Sequence, residues 1–354
     1  MRMRTAVAGM FLIVAVVLSV ILVGRLHHWN GASRHNSSPR PSGAAKQSGF
    51  HVKNGRLYDA NNHEFVMRGV GQNHAVFPEK TPRMFSDVKA MGANTVRVEL
   101  STGVVAKRND AADVAHVISL CRQNRLICVF VVTDTTGWGY RPEAIPQARA
   151  VDYWISIRRA LIGQEKYAIL DVANEPYVLD NFRTWPGDTI DSIHRLRQAG
   201  IRHTLMVDAP DWGQDLSFTM RDHAADVFAA DPEHNTVFSI HVYGAFSRAT
   251  NIHDYAGRYL KAKLPLAVTE FAYTHQDGDV DEDAIMSEAQ AQGIGYLAWS
   301  WSGNSGDVSN LDMVNQFNAK SLTWWGRRVF DGPNGIRQTS REATVYTGTG
   351  RRPG

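Results

Sequence analysis

The stretch Tyr167-Ala168-Ile169-Leu170-Asp171-Val172-Ala173-Asn174-Glu175-Pro176 decides the reading of this chain. Its start is a short apolar run of the kind that makes a buried strand. Pro176 cannot donate to a sheet ladder and disposes Glu175 toward an extended conformation. A carboxylate therefore stands at the C-terminal end of a core strand, with an amide beside it. The pattern recurs at Pro265-Leu266-Ala267-Val268-Thr269, which runs into Glu270-Phe271. One strand–helix unit takes roughly 30 residues, so three units separate the two glutamates. In a closed eight-stranded parallel sheet they would sit on strands 4 and 7, facing each other across one end.

The rest of the chain supplies the other strands. Apolar runs at 64–69, 94–98, 126–132, 167–173, 205–208, 236–242, 265–270 and 294–301 read as eight strands. Helical periodicity fills the intervals at 82–91, 110–124, 145–162, 184–199, 217–229, 251–261 and 281–292, with 319–330 as the eighth helix. Strands this uniformly apolar suit a parallel sheet covered on both faces. The fold class is α/β, a single (β/α)8 or TIM barrel. Asn54-Gly55 between Phe50-His51-Val52 and Arg56-Leu57-Tyr58 signals a hairpin ahead of it, placed to cover the barrel floor.

Composition sets the remaining bounds. The 354 residues are 44% hydrophobic and 21% charged, ordinary values for a folded chain with a large core. Net charge is +3, yet residues 1–48 carry six basic residues and no acid, so residues 49–354 sum to −3. That excludes a nucleic-acid partner as the expectation. Arg2 and Arg4 precede an apolar run over 6–23, long enough for a membrane-spanning helix. Residues 1–24 read as a signal-anchor or a cleaved signal peptide, with the folded part extracytoplasmic, either anchored and facing outward or secreted. Residues 25–48 read as a flexible linker, 49–335 as the barrel, and 336–354 as a polar tail without an assigned role. Cys121 and Cys128 lie among apolar residues and read as two reduced core thiols. No metal-ligand spacing appears, so neither metal nor cofactor is expected.

Polar and aromatic residues gather at the C-terminal strand ends, where such barrels build their sites. These are Arg97, Thr133-Asp134, Asn174-Glu175, Asp208, His241, Tyr243, Glu270, Trp299 and Trp301. Each alone has a bland reading: a solvated glutamate, a structural arginine, a satisfied core histidine, a tryptophan plug. Their shared end of the barrel is what favours a site. Two carboxyl groups facing one another can serve as acid and nucleophile in glycosidic cleavage.

With those residues in view, the chain resembles glycoside hydrolase family 5, and within it the bacterial endo-β-1,4-mannanases. The likeness runs from about Phe50 to Gly335. It rests on Met67-Arg68-Gly69-Val70, Gly92-Ala93-Asn94-Thr95-Val96-Arg97-Val98, Ala173-Asn174-Glu175-Pro176, His203 to Pro210, Phe238-Ser239-Ile240-His241, Thr269-Glu270-Phe271 and Trp299 to Asn304. The resemblance implies Glu175 as general acid/base and Glu270 as nucleophile. Asn174 would bind the 2-hydroxyl of the attacked sugar, Arg97 would keep Glu270 ionised and Tyr243 would orient it. His241 would contact the acid/base or the leaving sugar. Trp299 would form the floor beneath the sugar, with Trp212 and Trp301 as further platforms and His74 nearby. The partner implied is a β-linked polysaccharide such as mannan or glucomannan, met by a monomer. Where the family usually has His after strand 3, this chain has Thr133; near its usual Trp after strand 1 stands Val76. A β-1,4-glucanase, and a carbohydrate-binding protein on a weakened barrel, are the alternatives.

Overall fold

The computed structural model describes residues 49–244, 248–276 and 278–347. The readings placed on residues 1–48 lie outside these. No helix among the described residues is long and apolar enough to cross a membrane.

The hairpin comes first, β1 (His51–Lys53) and β2 (Arg56–Tyr58), antiparallel with Lys53 opposite Arg56. The barrel strands follow: β3 (Arg68–Gln72), β4 (Thr95–Leu100), β5 (Ile127–Val132), β6 (Ala168–Asp171), β7 (Leu205–Asp208), β8 (Thr236–Val242), β9 (Leu266–Phe271) and β12 (Gly295–Ala298). A two-residue pair, β10 (Thr274–His275) and β11 (Gly278–Asp279), decorates the exit from β9. All eight barrel strands run parallel, and β12 closes the ring by pairing with both β3 and β9. Helices α1 (Thr81–Ala90), α2 (Ala111–Gln123), α3 (Gln147–Leu161), α4 (Trp185–Gln198), α5 (Thr219–Ala230), α6 (Ala249–Lys261), α7 (Glu282–Gln292) and α8 (Trp324–Asp331) follow the strands in turn.

The expected strand and helix order therefore stands, with shifts at the edges. The first barrel strand begins at Arg68 rather than 64, because Glu64 is spent bridging to Tyr58 of the hairpin. The last helix begins at Trp324, capped by Thr323 Oγ1 accepting from the Gly326 amide.

Alternation along the strands separates two layers inside the barrel. Ile127, Val129, Ile169, Met206, Val237, Ala267 and Leu297 pack with Phe50 and Leu57 of the hairpin into one apolar plug at the floor. Two residues further along, the same inward face turns polar: Ile169 gives way to Asp171, Met206 to Asp208, Val237 to Ser239. The second core, between strands and helices, is larger and includes Trp154, Trp185 and Trp325.

Two expectations change. Cys121 on α2 and Cys128 on β5 are joined in a disulfide, with Cα atoms 6.2 Å apart. The helix packs directly on the strand that follows it, which brings two buried thiols within bridging range. The tail also has a place. After α9 (Ile336–Thr339), Ala343 enters the floor core, Thr344 donates to Asp59 Oδ2 through N and Oγ1 at 2.7 and 2.6 Å, and the Tyr346 hydroxyl donates to the Leu126 carbonyl at 2.8 Å. Glu342 adds ion pairs to Lys89 at 2.9 Å and Arg125 at 2.5 Å.

Candidate active site

The upper polar layer opens into a cavity of about 350 Å³ lined by Glu99, Thr133, Asn174, Glu175, Tyr243, Glu270 and Trp299 among others. Arg97 lies beneath it, fully buried, as its hub. Its Nη1 donates to Glu270 Oε1 at 2.5 Å, and its Nη2 to Asn174 Oδ1 at 2.8 Å, Asp171 Oδ2 at 3.0 Å and Asp208 Oδ2 at 3.2 Å. A planar, permanently charged fork can serve several acceptors at once, which a lysine ammonium could not match in geometry. Burial opposes the guanidinium charge, but Asp208, Glu270 and Asp171 overcome that and hold the proton on more firmly than usual.

Glu270 reaches this hub through an irregularity. Between Ile240 and His241 the β8–β9 register slips, so that Ile240 faces Val268 but His241 faces Glu270. Ala267 and Thr269 already point inward, Ala267 in the floor core and Thr269 against Ser239. Strict alternation would turn Glu270 outward; the bulge re-aims it into the barrel. Its Oε2 accepts from the Tyr243 hydroxyl at 3.0 Å, and His275 stacks on the Tyr243 ring with centroids 4.4 Å apart.

Glu175 approaches from the facing side. Its φ is +42°, not the extended value expected before Pro176. The surrounding contacts impose this: its amide donates to Asp208 Oδ2 at 3.1 Å and its carbonyl accepts from the Gly137 amide at 3.1 Å. A non-glycine residue in this region is strained, and the cost is borne by the neighbouring structure. His241 Nδ1 lies 2.9 Å from Glu175 Oε1 and 3.6 Å from Glu270 Oε2, while Nε2 lies 3.2 Å from Asp208 Oδ2. Burial would lower the imidazole pKa; Glu270 and Asp208 reverse this and raise it well above the usual value. Burial raises the pKa of Glu175, and His241 opposes the shift. For Asp208 burial is outweighed by His241 and Arg97, which bring it down to about 2. Asp171, also buried, is pushed up, by burial first and by Asp208 second.

Glu175, His241 and Glu270 bring one side-chain oxygen or nitrogen each within 4.8 Å of one another. A cation among them would sit beside the guanidinium already paired with Glu270, so the charge pattern suits a neutral ligand better.

The other residues singled out in the sequence divide. Trp299 is half-buried and lines the cavity, anchored by Nε1 donating to Asn304 Oδ1 at 3.0 Å. A Cβ on Gly71 would come within 2.8 Å of its ring, so only glycine lets the indole lie there. Trp301 is fully buried, edge-on to Phe330 of α8 at 6.2 Å, and offers no face to a ligand. The regular strand stops at Ala298, and the chain beyond it sends this ring outward to the helices. Trp212 is half-buried at the rim with Arg141 over its ring at 5.2 Å, so that face is occupied. His74 is buried behind the wall, its nitrogens 2.7 Å from Thr81 Oγ1 and 3.1 Å from Asp113 Oδ2. Asp134 folds the loop after β4, accepting from Ser101 Oγ at 2.9 Å and from the Thr102 amide at 2.6 Å. Sequence reasoning passed over Glu99 and Asp171 as site residues. Both carried a usable signal, standing two residues after an inward-facing Arg97 and Ile169.

The family model for cellulases (glycosyl hydrolase family 5) matches residues 58–305, and the chain belongs to that family of glycoside hydrolases. Among its relatives is the mannan endo-1,4-β-mannosidase of Streptomyces lividans, 48% identical over 307 residues, covering 86% of this chain and 80% of the relative. The enzyme of the same name from Cellvibrio japonicus is 46% identical over 304 residues, covering 86% and 70%. The mannohexaose complex of Thermomonospora fusca β-mannanase superposes with a TM-score of 0.82 at 50% identity, covering 84% of this chain and 99% of that one.

Proposed function

We propose that this chain is a retaining endo-β-1,4-mannanase working by double displacement outside the cytoplasm. One observation carries the reading: Glu175 and Glu270 come from facing strands, present oxygens within 4.8 Å of each other, and have unlike surroundings. Carboxyl groups about 5–5.5 Å apart suit retention, whereas inversion needs room for a water between them. Unlike environments are what separate an acid from a nucleophile.

The steps follow from the contacts. Glu175, its pKa raised by burial, keeps its proton and gives it to the glycosidic oxygen as that bond breaks. Glu270, aimed by Arg97 and Tyr243, attacks the anomeric carbon and forms an ester. Glu175, now a carboxylate, takes a proton from water. The water oxygen displaces Glu270 from the same carbon, and both carboxyl groups return to their first state. Asn174 accepts from Arg97 and donates one N–H to Thr136 Oγ1 at 2.7 Å, which fixes its amide and leaves the second N–H for the sugar 2-hydroxyl. Trp299 supplies an apolar face for the ring. The Cys121–Cys128 bridge supports an oxidising, extracytoplasmic setting, as disulfides persist there.

The test is reducing-sugar release from mannan and from carboxymethyl-cellulose, with the product anomer followed by NMR. Release from mannan as the β-anomer first is expected. Preference for carboxymethyl-cellulose would move the substrate to β-1,4-glucan, and initial α-anomer would refute double displacement. Glu270→Ala separates a hydrolase, which loses turnover and keeps mannohexaose binding, from a pure binding protein.

A further inference from the structure

A third carboxyl group faces the cavity without a task in the steps above. Glu99 follows Arg97 by two residues on β4, so both side chains point into the barrel. Its backbone pairs with Val131 of β5 on one side, and its carbonyl accepts from the Ala75 amide at 3.0 Å on the other. It therefore stands on the wall between Asn73, after β3, and Thr133, after β5, and all three line the cavity. The residue is only 4% exposed. Among the described residues none hydrogen-bonds its carboxyl, and the guanidinium of Arg97 is taken up by Glu270, Asn174, Asp171 and Asp208.

A buried carboxyl with no partner weakens a fold. Nothing in the packing of β4 calls for one, since Thr95 and Arg97 below it are both bonded. The group is also unsuited to act as a second nucleophile or acid, because Glu175 and Glu270 already face each other. What it offers is a hydrogen-bonding end aimed into space that a sugar would fill. Burial, reinforced by Glu270 and Glu175 and opposed by Arg97 and His241, pushes its pKa up to about 8. Near neutrality the proton stays on. The carboxyl is then both donor and acceptor, and it adds no negative charge beside the catalytic pair. Its neighbours on that wall are Asn73, Val76, Val105 and Thr133, none of them aromatic.

We propose that Glu99 is a substrate-binding residue whose carboxyl hydrogen-bonds a ring hydroxyl of the sugar held against the β3–β5 side of the cavity. The proposal rests on the reading of this cavity as the seat of a β-1,4-glycan. It assigns to one side chain the grip that aromatic residues would give elsewhere, and it makes recognition there polar and directional.

The experiment compares the full chain with its Glu99→Leu and Glu99→Gln variants on mannohexaose and cellohexaose, using whichever the unaltered chain cleaves. Glu99→Leu is expected to lower kcat/KM about tenfold, mainly through KM, with a melting temperature equal to or above that of the parent. Glu99→Gln keeps a donor and an acceptor and should recover most of the loss at pH 6–7. It should also remove a fall in kcat/KM centred near the titration of Glu99 at about 8. A Glu99→Leu variant within twofold of the parent overturns the proposal, as does a loss that Glu99→Gln does not recover or a loss that tracks a lowered melting temperature. If the parent cleaves neither oligosaccharide, the reading of the site as a β-1,4-glycanase fails and the proposal falls with it; if the parent cleaves one and Glu99→Leu matches it, only the proposal fails.

Discussion

The Nδ1 atom of His241 sits 2.9 Å from Oε1 of Glu175, on the side of the ring away from Asp208. One imidazole is thus held between an acid/base candidate and a buried carboxylate. The bond lowers the pKa of Glu175 against the upward push of burial.

Replacing His241 by Asn removes that downward pull. The pKa of Glu175 should then rise further, so the acid stays protonated to higher pH. The alkaline limb of the kcat/KM profile is expected to move upward while the maximum falls by about 10²-fold or more, the usual worth of a positioned acid–base group. A pH profile on mannohexaose decides this: an alkaline limb that stays put or moves down would show that His241 does not tune Glu175.

Arg97→Lys keeps a positive charge and loses the fork. An ammonium cannot serve Glu270, Asn174, Asp171 and Asp208 together in the geometry seen here. Turnover should fall by at least two orders of magnitude. Arg97→Ala should in addition lose about 3–5 kcal/mol of stability, because it leaves buried carboxylates without their counter-charge. Urea denaturation of both variants beside the parent checks the split.

Gly213 has φ +72°, accepts from the His241 amide at 2.8 Å, and has the His241 ring where a Cβ would go, the nearest atom at 2.5 Å. Gly213→Ala should cost over tenfold in kcat through a displaced imidazole, with a smaller loss in melting temperature. A variant as active as the parent would mean that the ring tolerates the shift.

Asp231 binds Arg197 through two bonds of 2.9 Å, and Arg197 and hydrogen bonds from Thr236 and the Glu233 amide outweigh burial to bring its pKa down to about 2. An unfolded aspartate titrates near about 3.9. The folded value is the lower one, so this contribution is complete above roughly pH 4. It is lost as pH falls through about 2. Asp231→Asn should therefore lose several kcal/mol near neutrality, with the gap to the parent narrowing in acid. Equal gaps at pH 7 and pH 3 in denaturant titrations would contradict the assignment.

The barrel was legible because its strands are continuous apolar runs at even spacing, and β7 and β8 fall where the pattern put them. Glu175 and Glu270 were legible because each breaks such a run at its end. What resisted reading depends on contacts distant in the chain. The bulge that turns Glu270 inward leaves no mark in the letters around it. Trp301 and Trp299 look alike in sequence and differ only in which side of the chain they leave. The Cys121–Cys128 pairing depends on how α2 docks on β5, and its apolar surroundings argued for free thiols instead. Thiol titration of the denatured chain without reductant should find none.

The C-terminal segment and the opening hairpin meet under the barrel, joined by Asp59 and Thr344. Phe50 and Tyr346, near the two ends of the described residues, therefore both lie at the pole remote from the cavity that Glu175 and Glu270 line. A module joined close to either of those residues would leave the mouth of the cavity, on the opposite face, unobstructed.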